Sequence, residues 1–198
     1  LAFVVRWFAP KEVWTNGSAS QARDYKRLLE AARDEDVPLK TPESLPGEMS
    51  FGGAEVRVLW PPKSPQPGED ENNNSLWLGF GLGQSWLWLP GDNGPKVERK
   101  VASLLSPKGW QALAAPHHGG VGSCSRELMM RLKPQAVVFS AGCCNSFRMP
   151  RPGALSRAKA YAQSFFRTDR QGAIRLTTKG IAWQISPYLS TPRDCPTR

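Results

Sequence analysis

The chain has 198 residues, 40% of them hydrophobic, with eight Trp and eight Phe, which supports the core of one large domain and excludes a disordered chain. No apolar run approaches the roughly 20 residues of a membrane-spanning helix, and no signal-peptide pattern opens the chain. Residues 1–98 carry 10 Lys/Arg against 14 Asp/Glu, a net of −4, whereas residues 99–198 carry 16 against 3, a net of +13. So basic a half has the footprint of a polyanion binder, nucleic acid first and anionic lipid second, although a merely solubilising surface has the same composition.

In chain order, LAFVVRWFAP reads as an apolar helix entering a turn with nothing in front of it, as after a cut inside a larger protein. KEVWTNG is a strand ended by Asn16-Gly17. Residues 18–36 form a helix with Tyr25, Leu28, Leu29 and Ala32 on one face and Ser20 as N-cap, and VPLK returns as a short strand. AEVRVLWP (54–61) alternates like a half-buried strand, and residues 61–74 form an acidic, Asn-rich loop too polar to pack. SLWLGFGLGQSWLWLPGD (75–92) is a hairpin turning within Gly81–Gln84. PKVERKVASLLSPKG is a helix with Pro95 near its start and Val97, Val101, Leu104 and Leu105 inward.

The last third repeats the strand–helix alternation. WQALAAP, QAVVFSAG and SFFRTD are strands; SRELMMRLKP and the basic RPGALSRAKAYAQ are helices; GAIRLTTKGIAWQIS is a closing hairpin turned at Lys179-Gly180. About ten strands and four or five helices result, grouped as two sheets with helices outside, an α/β (α+β) layered fold. Residues 1–189 make up the domain and 190–198 a disordered tail. The cysteines at 124, 143, 144 and 195 lack zinc-knuckle or redox spacing and read as buried thiols.

Three loops after buried strands have the placement of an active site. LWLPGDN carries Asp92, although Gly-Asp after a strand also serves simply as a turn. APHHGG carries His117 and His118, the only histidines, where imidazole suits a first-row metal and paired glycines allow close approach. SAGCCNSFRMPRP carries Arg148 and Arg151, suited to phosphate.

Taken in order, ENNNSLWL, PGD, APHHGG, KPQAVVFSAG and RTDRQGAI resemble the metallo-β-lactamase-fold C-terminal domain of the ComEC family of competence and DNA-internalisation proteins, from roughly Ala9 to Ser186. The resemblance implies an αββα sandwich, incomplete at its N-terminus because the family's H-x-H-x-D-H loop falls upstream of Leu1. It implies that Asp92 bridges two divalent metals, Zn or Mn in the intact parent domain, and that His117 or His118 ligates the second. Where relatives show N-x-Y-x-H-P-H-P, this chain has NSFRMPRP, so Met149 and Arg151 replace histidines. A thioether does not replace imidazole on an oxygen-loving metal, and a fixed guanidinium opposes a cationic centre.

The implied chemistry is metal-assisted phosphodiester hydrolysis of the strand not imported, in a domain attached to a channel in the bacterial inner membrane. Arg126, Arg131, Arg148, Arg151, Arg157 and Lys159 would guide the DNA backbone. This chain alone is expected to bind no catalytic metal and to be inactive. Two other readings stay open: a metal-free module that binds DNA or packs against the channel portion of the parent, and a hydrolase of small phosphorylated or acyl substrates.

Overall fold

The computed structural model describes residues 1–66, 68 and 70–193. Its N-terminal part is a strand–helix–strand unit. Helix α1 (Ala2–Phe8) precedes β1 (Val13–Trp14), α2 (Arg23–Asp34) and β2 (Leu39–Lys40), with β1 and β2 parallel. Val5 of α1 packs with Leu28, Ala31 and Val37 as a small core separate from the main one. Two details depart from the sequence reading. Ser20 is not the N-cap: α2 begins after Ala22, and the Ser20 hydroxyl accepts from the Ala22 N–H at 3.2 Å. Leu29 is exposed and Ala31 is inward, because the stripe runs through Leu28, Ala31 and Ala32.

The main sheet has seven strands in sequence order: β3 (Glu48–Phe51), β4 (Ala54–Trp60), β5 (Trp77–Leu82), β6 (Ser85–Leu89), β7 (Trp110–Ala114), β8 (Ala136–Phe139) and β9 (Ser164–Arg167). The first four form an antiparallel meander, and β6 to β9 run parallel. Parallel neighbours need crossovers, which α3 (Pro95–Leu104), α4 (Arg126–Leu132) and α5 (Pro152–Tyr161) supply. These helices pack in series, α3 on α4 and α4 on α5, over a core that includes Trp88, Val97, Leu113, Leu128, Val137 and Phe139. Strand β3, too short and polar to stand out, was missed in the sequence; it pairs with β4 across Gly52-Gly53. The helix α6 (Thr168–Gln171) was missed as well.

The WLGFGLGQSWLWL stretch has a packing reason. Trp86 and Trp88 stack with centroids 5.1 Å apart, and a Cβ on the facing Gly81 or Gly79 would come within 2.6 or 2.4 Å of these rings. Glycine therefore makes room for indole across the β5–β6 pair. The hairpin β10 (Ile174–Thr178) and β11 (Trp183–Pro187) is tied to the sheet end where Gln84 N–H donates to Gly180 O at 2.6 Å and Thr178 hydroxyl to Ser85 hydroxyl at 2.8 Å.

The mixed α/β content, with a central mixed sheet flanked by helices, is the α+β sandwich expected. Besides the seven-stranded sheet, the described residues form only the two-stranded pairs β1–β2 and β10–β11, so the expected second sheet is small. Among them no helix is long and apolar enough to cross a membrane. In α3, Leu104 is exposed rather than inward, and Glu98, Val101, Ala102 and Leu105 take the buried stripe. The 61–74 loop does pack: Asn74 is buried, its side-chain oxygen accepts from Gln66 N–H at 2.6 Å, and Trp60 Nε1 donates to Asn73 O at 2.6 Å. The Asn74 amide is bonded to Gln66 and Asp70 backbone groups of the same loop, which offsets the penalty for burying it. Cys124 is a buried thiol as expected, whereas Cys144 is exposed. In the tail, Arg193 N–H donates to Arg170 O at 2.9 Å; residues 194–198, Cys195 included, lie outside the described residues.

Candidate functional site at the ends of the parallel strands

Strands β6, β7 and β8 are adjacent and parallel, so the loops that leave their C-terminal ends emerge side by side. These are the loops holding Asp92, the histidine pair and Arg148–Arg151. They are bonded to one another. His117 N–H donates to Gly91 O at 3.0 Å, joining the second loop to the first. Arg151 N–H donates to Gly119 O at 2.8 Å, joining the third to the second. Gly119 lies at φ 82°, and a Cβ there would come within 2.7 Å of both Phe139 and Pro150. Only glycine fits this junction.

The Asn-rich loop closes the other side. Ser75 hydroxyl accepts from Asp92 N–H at 3.2 Å, Asn73 Oδ1 accepts from Gly94 N–H at 2.9 Å, and Asn93 Nδ2 donates to Ser75 O at 2.9 Å and Pro90 O at 2.6 Å. ENNNS thus belongs to the scaffold of the site and not to a free surface loop.

His117 and His118 both take left-handed backbone conformations, at φ 44° and 55°. Non-glycine residues rarely adopt this region, and such strain concentrates at functional sites. The arrangement separates the two rings, whose centroids are 6.5 Å apart. Of the two, His118 faces the carboxylate: its Nε2 lies 3.4 Å from Asp92 Oδ1, with side chains 51% and 41% exposed. Met149, in the position where the resemblance expects imidazole, sets its terminal methyl 3.3 Å from where a Gly120 Cβ would be, a point that is 3.5 Å from the His117 ring.

Beneath these loops lies a polar cluster that was missed in the sequence. Glu98, fully buried in α3, accepts from the Ser125 N–H, while Arg157 of α5 donates to Ser123 O at 2.8 and 3.1 Å and to Cys124 O at 3.1 Å. The 120–125 segment, which continues from the histidine loop, is thereby held from two helices. Burial pushes the Glu98 carboxyl up to about 7, against the Ser125 and Cys124 hydrogen bonds and the Arg157 charge, which lower it. Burial, with the Glu98 charge adding to it, also drives the Cys124 thiol far above its usual range. The sequence does carry a signal for Glu98: with Val101, Ala102 and Leu105 it completes an i, i+3, i+4, i+7 stripe.

The expected basic band divides. Arg157 is bound to loop carbonyls and is structural. Arg131 is exposed, with its Nε donating to Leu105 O at 2.6 Å. Arg126 and Lys159 are exposed on α4 and α5, and Arg151 is half-buried. Arg148 is exposed and lines a concavity with Arg167 and Arg170, two residues not singled out in the sequence.

A hydrolytic metal site takes at least three protein ligands. No group of three or more His, Cys, Asp or Glu side chains able to hold a metal ion occurs among the described residues. Asp92 and His118 therefore do not by themselves fit a catalytic divalent ion.

No protein-family model matches the chain. Among curated proteins it is 31% identical over 175 residues to ComE operon protein 3 of Bacillus subtilis, covering 87% of this chain and 22% of that protein. It is 26% identical over 151 residues to Competence protein ComA of Neisseria gonorrhoeae, covering 70% of this chain and 22% of that protein. It also matches the uncharacterized protein YcaI of Escherichia coli, at 28% over 120 residues. The chain thus spans about a fifth of the length of the competence proteins it matches. The two named competence relatives cover most of the chain, and the chain is a ComEC-like competence-protein domain.

Proposed function

We propose that this chain is the nuclease-like region, of metallo-β-lactamase architecture, of a bacterial DNA-uptake protein, and that these 198 residues hold a DNA strand by its phosphates without cutting it. The observation that carries the reading is the convergence of three distant loops that brings His118 Nε2 to 3.4 Å from Asp92 Oδ1. Asp92 and His118, with His117 beside them, are a partial ligand set that would hold a zinc or manganese ion only with further donors. The half of the chain that carries the histidine loop has a net charge of +13, which supports backbone binding independent of base sequence. In the parent protein the region would lie beside the channel portion at the inner membrane.

A second reading, a metal-free module that binds DNA or packs on that channel portion, is favoured by Met149. Its thioether occupies the seam between Gly120 and the third loop in place of an imidazole. The test of the shared core of both readings is fluorescence anisotropy of labelled DNA strands of unrelated sequence, across salt. Binding alike for all strands, falling steeply with salt, is expected; no binding at 50 mM salt would rule out a DNA-holding role.

A further inference from the structure

The Met149 side chain, whose terminal methyl lies toward Gly120, also lines an open concavity of about 460 Å³. Arg148 enters it from the loop after β8, Arg167 from the end of β9 and Arg170 from α6; Cys144, Asn145, Met149, Pro150 and Asp169 complete the wall. We infer that Arg148 and Arg167, with Arg170 on the same wall, form a cradle for a backbone phosphodiester of the bound strand. The inference rests on the reading that the strand is DNA.

The cradle is built before any ligand arrives. Asn145 clamps its own loop, donating to Gly142 O at 2.9 Å and Met149 O at 2.7 Å while its oxygen accepts from Met149 N–H at 2.9 Å. That clamp fixes the base of Arg148. Thr168 hydroxyl accepts from Ala141 N–H at 2.9 Å, locking the same loop to the end of β9. Arg167 is aimed by Asp169, Nε to Oδ1 at 3.0 Å and a terminal N–H to Oδ2 at 2.6 Å. Asp169 uses two of the five N–H donors of that guanidinium, leaving three for an anion. Among the described residues of the wall Asp169 is the one carboxylate, it is paired with Arg167, and its side chain is 7% exposed. Planar forks held in place match phosphate oxygens bidentately, and the preorganisation lowers the ordering cost on binding.

The test uses Arg148→Asn, because Arg148 sits at φ 54°, a conformation asparagine tolerates, with Arg148→Lys as the charge-retaining variant. Lys26→Glu on α2 is a control distant in sequence and exposed. With a fluorescein-labelled 12-nucleotide oligothymidylate in 50 mM salt, Arg148→Asn should weaken binding about tenfold and reduce the salt slope by about 1. Arg148→Lys should keep the slope, and Lys26→Glu should change affinity less than twofold. In ¹⁵N NMR, the Arg167 Nε resonance should move on adding dTpdT to the wild type. Wild-type binding that Arg148→Asn leaves intact would overturn the cradle while sparing the DNA reading. An Arg167 signal that moves with inorganic phosphate or phosphatidylglycerol vesicles but not with dTpdT would overturn the assignment to a strand. A signal unmoved by all three would overturn the cradle outright.

Discussion

His118 Nε2 lies 3.4 Å from Asp92 Oδ1, two side chains 26 positions apart on loops that leave neighbouring parallel strands. Neither could be placed by its own local sequence. The parallel register of β6 and β7 brings their loops to one edge, and the His117–Gly91 hydrogen bond sets the spacing.

Glycine at 119 is expected to be indispensable to that spacing. Gly119→Ala places a methyl 2.7 Å from Phe139 and Pro150 on a backbone at φ 82°. A loss of about 2–4 kcal/mol in urea-melt stability is expected, from strain and overpacking together. Gly142→Ala, where nothing lies within 4 Å of the added methyl, is expected to change stability by no more than about 0.5 kcal/mol.

Glu98 makes the stability of the domain depend on pH. Its folded carboxyl titrates near 7 against an ordinary 4.5, so the native state holds more protons than the unfolded chain between those values. Stability due to this group is therefore fully present below about pH 4.5 and is lost as pH rises to 7, by about 3 kcal/mol in total. Melts of wild type and Glu98→Gln at pH 5 and pH 7.5 separate this contribution from other titrations. The wild type should lose stability relative to the variant as pH rises; parallel curves would mean that Glu98 is not held protonated.

Arg157 should behave as a structural residue and not as a DNA contact. Arg157→Ala removes its hydrogen bonds to the buried Ser123 and Cys124 carbonyls. A loss of about 2–4 kcal/mol is expected, with DNA affinity of the folded fraction within twofold of wild type. Arg126→Ala and Lys159→Ala are expected to show the converse: stability within about 0.5 kcal/mol and a salt slope reduced by about 1. Paired melts and anisotropy titrations on the same preparations check both.

The elements read well from the chain because their signals are local: the β5–β6 hairpin, the three helices between parallel strands and the closing hairpin all follow from periodicity and turn residues. What the sequence hid depends on long-range pairing. Glu98 and Arg157 are charged residues whose burial makes sense only once α3 and α5 lie over the 123–125 loop. Asn73 and Asn74 read as loop composition, yet they satisfy Gly94 N–H and Gln66 N–H, which are distant in the chain or out of regular structure. Arg167 read as part of a strand and Arg170 fell between that strand and the closing hairpin, and their place on one wall with Arg148 arises from the packing of the loop after β8 on the end of β9. Asp92 and the histidine pair were legible as candidates, while the choice of His118 as the one facing Asp92 needed the two left-handed residues.

These residues are expected to hold a DNA strand without cutting it. Incubating the chain with a 5′-labelled oligonucleotide at low salt, with manganese or zinc and with EDTA, gives binding and strand length from the same samples. The expected result is a bound, intact strand, unaffected by EDTA. Manganese- or zinc-dependent cleavage that EDTA abolishes and Asp92→Asn removes would instead make this chain a metal-dependent nuclease.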